Sequence, residues 1–276
     1  MLKSNKISKE LQLIFILLLT MSQSCSSDYI QYPQFKGGNL NLSYQNSEHI
    51  LLLLPKSNYN ADTLAALLIV YDRAYELASE VSGREPDPSP MGMDKLPLAI
   101  VPSTCGSGCG RLGRKGIEIT EEKFERIYDQ FVKDGVYDHL FFYELGRNFW
   151  FYEASDVKLK EMDEIRTGFA VFLRDMLLSE LKLNAAPINN KPYQKYMEDK
   201  KEQWRKMSEA WNHNHHDLEN LRKKHFPKPT QFWSMLWWER YKKFGMGSIH
   251  KTLQTLQQHP PKSETDWLKR FTQNSR

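Results

Sequence analysis

The chain has 276 residues, of which 40% are hydrophobic and 26% charged. This is ordinary globular material, long enough for one large domain or two small ones, and it excludes a disordered or fibrous class. The formal net charge of +4 is spread over many acidic and basic residues. Its local excess, in stretches such as Arg222-Lys223-Lys224, reads as a solvated helix face, and no nucleic acid is expected as a partner.

In chain order, Lys3, Lys6 and Lys9 precede an apolar run from Leu11 to Met21 and then small polar residues, the pattern of a secretory signal peptide over residues 1–24. The apolar run is about half of the roughly 20 residues a spanning helix needs. Cys25 falls where a bacterial lipoprotein carries its lipid, although Ser22 stands where a lipobox has an aliphatic residue. Lipid anchoring at Cys25 and simple cleavage therefore both stay open, and either places the protein outside the cytoplasm. Residues 25–48, rich in Ser, Tyr and Gln, read as an exposed tether.

Ile50–Leu54 is a continuous apolar run closed by Pro55, a short buried strand. Asn60 caps a long amphipathic helix with Leu64, Leu67, Leu68, Tyr71, Ala74 and Leu77 on one face, and Gly83 with Pro86, Pro88 and Pro90 ends it. Leu96–Val101 and Gly116–Thr120 read as two more strands. The glycine-rich T-C-G-S-G-C-G between them lacks the order of a phosphate-binding loop and reads as a tight connection. Its Cys105 and Cys109 are expected to form a short-loop structural disulfide in an exported chain. Helices follow at Glu121–Lys133, Tyr137–Tyr152, Met162–Leu183, Lys191–Trp211, Pro229–Phe244 and Ile249–Gln257. The fold class is α+β, with a small early sheet and a mainly helical C-terminal half, in one domain over residues 49–276.

The helix Phe142–Trp150 reads F-Y-E-L-G-R-N-F-W. It resembles the zinc-binding helix of gluzincin-type metallopeptidases, which carries H-E-x-x-H, two histidines one turn apart and a glutamate that activates water. Tyr143 and Arg147 stand at the histidine positions, and Glu144 keeps the general-base position. The later Arg166-Thr167-Gly168-Phe169-Ala170 resembles that family's N-E-G-F-A helix, with Thr167 at the third ligand's place. The likeness runs loosely from Leu51 to Leu178 and implies a zincin-like fold. A guanidinium has no lone pair to give Zn²⁺ and repels it, so no zinc or other cofactor is expected.

On this reading Arg147 replaces the metal's charge and pairs with Glu144. His139, Tyr143 and Arg147 share one face, while Glu144 and Asn148 form an adjoining line. The resemblance then implies a non-catalytic binding protein for a peptide or glycan, with His139, Tyr143, Arg147 and Thr167 as binding residues. A hydrolase with altered chemistry centred on Glu144, and a purely structural envelope protein, are the alternatives. Glu161, Asp163 and Glu164 are candidates for a rebuilt metal site. His213, His215 and His216 read as an exposed cluster, and Phe232, Trp233, Trp237, Trp238 and Tyr241 as core behind the site helix.

Overall fold

The computed structural model describes residues 29–55, 59–110, 116–150, 162–213, 222, 226 and 228–273. It is an α+β fold in which an early mixed sheet is followed by helices. The signal peptide, Cys25, Glu161 and residues 214–217 lie outside the described residues.

Six strands, β1 (Tyr29–Pro33), β2 (Asn39–Asn46), β3 (Ile50–Leu54), β4 (Leu96–Val101), β5 (Gly108–Gly110) and β6 (Ile117–Thr120), make one sheet in the order β1-β2-β3-β4-β6-β5. β3, β4 and β6 are parallel, and antiparallel strands flank them on both sides. The apolar runs of β3 and β4 are buried along their whole length, as parallel strands covered on both faces require. One face carries Ile50, Leu52, Leu54, Leu98, Ile100, Ile117 and Ile119 into the main core with the helices. The other carries Leu51, Leu53, Ala99 and Val101 under Tyr32 and Leu42.

Those last two residues correct the sequence reading of 25–48 as a tether. Residues 29–46 fold as a hairpin in register with β3, pairing Ile30 with Leu42 and Tyr32 with Leu40. Its turn uses Gly37 and Gly38 at φ 94° and 86°, a backbone conformation open to glycine. The buried Glu118 of β6 ties the hairpin down. It accepts hydrogen bonds from the Tyr32 hydroxyl at 3.2 Å, the Phe35 amide at 2.7 Å and the Thr104 hydroxyl at 2.6 Å.

Eight helices are described: α1 (Ala61–Ser82), α2 (Glu121–Asp134), α3 (Leu140–Asn148), α4 (Met162–Glu180), α5 (Tyr193–His213), α6 (Pro229–Phe244), α7 (Met246–Gln258) and α8 (Glu264–Gln273). None is long and apolar enough to cross a membrane. The Asn60 side chain accepts from the Thr63 amide at 2.9 Å to start α1, and Gly83 closes it in the left-handed region. The α1 helix joins β3 to the parallel β4 as a crossover and lays Leu64, Leu67, Leu68 and Tyr71 on the sheet.

α4 lies between α3 and α6 at close range. A Cβ on Gly146 would sit 2.9 Å from the Ala170 Cα, and one on Gly168 would sit 2.4 Å from the Trp233 Cβ. Phe232, Trp233, Trp237, Trp238 and Tyr241 of α6 are core, as their spacing indicates, while Phe244 at its end is exposed. Trp233 and Trp237 are fully buried, and Trp237 packs edge-on to Phe169 of α4 at 5.1 Å. α8, which the sequence reading did not anticipate, adds Trp267 and Phe271 to the same aromatic core.

Candidate functional site

The α3 helix starts later than the expected residue 137 because its start is fixed by a side chain. The Asp138 carboxylate accepts the Leu140 amide at 2.8 Å while its second oxygen pairs with Lys123 at 2.5 Å. Phe141, Phe142 and Leu145 are fully buried, with the Phe141 ring stacked on Tyr71 at 3.6 Å. This apolar stripe fixes which way the polar residues of the same helix point.

Glu144 and Asn148 face the sheet edge. The Asn148 side chain accepts from the Gly116 amide at 2.9 Å and donates to the Gly116 carbonyl at 3.0 Å. Glu144 accepts the Gly110 amide of β5 at 2.6 Å. The approach is close enough that a Cβ on Gly110 would meet the Glu144 carbonyl at 2.4 Å and the Arg147 Cβ at 3.0 Å. The glycine-rich stretch is therefore not only a connection, since it supplies an edge strand and the partner of Glu144. Cys105 and Cys109 sit at its two ends with sulfurs 2.23 Å apart.

Tyr143 and Arg147, one turn apart on α3, are half-buried, as is Thr167 on α4. Arg147 Nη1 donates to Thr167 Oγ1 at 3.0 Å, so the second and third positions of the metallopeptidase-like pattern do meet in space. The expected ion pair between Arg147 and Glu144 does not form. The edge-strand amide holds the carboxylate, and the Thr167 hydroxyl accepts from the guanidinium instead. Burial pushes the Glu144 carboxyl above its usual range, and the Gly110 hydrogen bond and the nearby Arg147 charge offset this only in part.

His139 belongs elsewhere. Burial and the charge of Arg174 hold its pKa below the usual value, and its Nδ1 is buried with no hydrogen-bond partner among the described residues. It faces a polar cluster where α4 meets α5. There Arg174 donates through Nε to Asp175 at 2.8 Å and through Nη2 to the Tyr196 hydroxyl at 2.6 Å. Tyr196 donates to the other Asp175 oxygen at 3.0 Å, and Lys200 reaches that oxygen at 3.3 Å.

Sequence reasoning missed Arg166 as a site residue. It is 7% exposed, and its Nη1 lies 3.6 Å from Asp163, itself 89% exposed. Arg166 Nε and Nη2 are buried without a partner among the described residues. Burial, and repulsion from Arg147, lower its pKa against the pull of Asp163. Only the R-T-G-F-A stretch hinted at this residue, and nothing in the sequence marks it as buried. Of the expected replacement carboxylates, Asp163 points to solvent. Glu164 is half-buried with one oxygen unpartnered. Three donors close enough to share a metal ion occur at Glu48, His49 and Glu76, a surface group that includes none of the expected site residues.

No known protein family's pattern matches the chain, and no curated protein matches it. A crystal structure of a functionally unknown conserved protein from Bacillus anthracis str. Ames is similar at a TM-score of 0.55 and 11% identity. The match covers 85% of this chain and 46% of that one, so the chain spans less than half of that protein's length. The likeness is one of fold alone.

Proposed function

We propose that this chain is an exported protein of zincin-like fold, held at the cell envelope through Cys25 or released. Its degenerate metallopeptidase-like cleft binds a peptide or glycan without zinc proteolysis. The observation that carries the reading is the 3.0 Å contact between Arg147 and Thr167. Two positions that resemble those of zinc ligands converge as such a site requires, but the groups that meet are a guanidinium and a hydroxyl. A fixed cation there supplies charge but no coordination site, and it suits recognition better than Lewis-acid chemistry. Tyr143 adds a half-buried phenol on the same helix face, a group that serves peptide and sugar contacts alike.

The test is metal analysis of the purified protein together with binding to peptide and glycan arrays, using wild type and Arg147→Glu. The expected result is no stoichiometric zinc at neutral pH and a ligand whose binding the charge reversal abolishes. Stoichiometric, chelator-sensitive zinc with peptidase activity would overturn it.

A second reading, a hydrolase that uses Glu144 as its base, draws on the raised pKa of that carboxyl, the direction in which burial tunes a general base. Hydrolysis of a model peptide or ester by wild type that is lost in Glu144→Gln, with binding intact, would favour it over the first.

A further inference from the structure

Arg166 presents one edge of its guanidinium to no described residue. Nε and Nη2 carry the two parallel N–H bonds that match the two oxygens of a carboxylate. Both nitrogens are buried, and neither has a partner among the described residues. Asp163 lies instead against Nη1, at 3.6 Å and in solvent. On Arg174 of the same helix, the same two nitrogens are filled, each lying 2.8 Å from the Asp175 carboxylate. The fold therefore supplies a carboxylate to this edge in one place and withholds it in the other.

The surrounding charges point the same way. Arg147 is near enough to Arg166 to repel it, and its own described hydrogen bond goes to a neutral hydroxyl. Glu144 is committed to the Gly110 amide. Glu164 lies two residues before Arg166, which places it on the opposite side of α4. Among the described residues, no carboxylate is hydrogen-bonded to Nε or Nη2 of Arg166. A buried cation left without its partner is strongly destabilising, and a ligand oxyanion would relieve that.

The geometry points to a carboxylate-binding site formed by Arg166 through Nε and Nη2, with Arg147 and Thr167 beside it. In the peptide or glycan reading above, on which this inference builds, the carboxylate is a peptide's terminal group or a uronic acid. Arg166 grips the group as a two-toothed clamp, Arg147 adds charge, and the rest of the ligand extends toward Tyr143 on the neighbouring helix.

Acetate titrated at constant ionic strength against chloride tests the site without assuming the larger ligand. A saturable rise in Tm is expected for wild type and none for Arg166→Gln, with circular dichroism verifying that the variant is folded. Arg166→Lys, which keeps the charge but not the fork, should weaken acetate roughly 10-fold or more. The absence of an acetate effect in wild type, or an equal effect in wild type and both variants, would overturn the inference.

A tripeptide free acid, its C-terminal amide and glucuronate then separate the sources. The free acid binding roughly 10- to 100-fold tighter than the amide supports a peptide terminus, and glucuronate binding alone supports a glycan. Acid and amide binding equally, in wild type and in Arg166→Gln, would leave a peptide cleft but remove the carboxylate clamp. An acetate response lost in Arg166→Gln, with neither peptide nor glucuronate bound, would keep the clamp and refute the larger reading.

Discussion

Arg166 and Arg174 lie two turns apart on α4 and are equally hidden, each 7% exposed, yet the fold treats them in opposite ways. Around Arg174, a carboxylate, a phenol and Lys200 from α5 close a network in which Nε and Nη2 of the guanidinium are both partnered. Its pKa rises because Asp175 and Tyr196 outweigh the burial that would lower it. Around Arg166 the Asp163 carboxylate stays in solvent and the neighbouring charge is another guanidinium, so burial and that repulsion lower its pKa. A closed network fixes helices against one another, and an open one is poised for something from outside. Burial by itself does not separate these two roles; the partners of Nε and Nη2 do.

The sharpest way to break the contrast is Asp175→Asn. It should lower unfolding free energy by about 3–5 kcal/mol, because two buried cations lose their counter-charge, and chemical denaturation measures it. If the loss is under about 1 kcal/mol, the network is not closed in solution. Gly110→Ala should cost about 1–3 kcal/mol by pushing β5 off α3 at the Glu144 carbonyl, and hydrogen exchange at β5 should quicken with it.

Arg166→Met should do the reverse of Asp175→Asn. Removing an uncompensated buried charge is expected to leave stability unchanged or raise it by about 1 kcal/mol, and a loss as large as that of Asp175→Asn would erase the distinction between the two arginines. The smallest effect belongs to Glu144. Its raised folded pKa means that the native state holds its proton more tightly than the unfolded chain. Its contribution is thus fully present in acid and is lost as pH rises through the folded pKa. Relative to Glu144→Gln, wild type should lose stability as pH climbs from about 4, and parallel pH curves for the two proteins would contradict this.

Where one kind of burial dominates a segment, the sequence was sufficient. The runs Ile50–Leu54 and Leu96–Val101 and the helix Pro229–Phe244 have the ends that their sequence patterns predict, because a strand covered on both faces leaves an unbroken apolar run and Trp233, Phe232 and Trp237 keep helical spacing. The hairpin 29–46 escaped because each strand buries few side chains, Tyr32 and Leu42 among polar neighbours, so its alternation is diluted. β5 has three residues and no period to read.

In the site, the sequence singled out Arg147 and Thr167 together, and the two side chains do meet. The partner of Glu144 did not, since a bond from a side chain to a backbone amide 34 residues away leaves no residue-type signature. Charge arithmetic along the helix suggested Glu144 with Arg147, and geometry gave each a different partner.

A primary amide is the one side chain that copies both halves of a peptide group, and Asn148 uses both on Gly116. The helix is therefore clipped to the start of β6 by a counterfeit rung of the ladder, which sets its rotation about its own axis from a point away from Tyr143 and Arg147. With the azimuth fixed there, the side chains at 143 and 147 can be exchanged for others without altering where they aim. The same backbone can thereby present different chemistries to whatever enters.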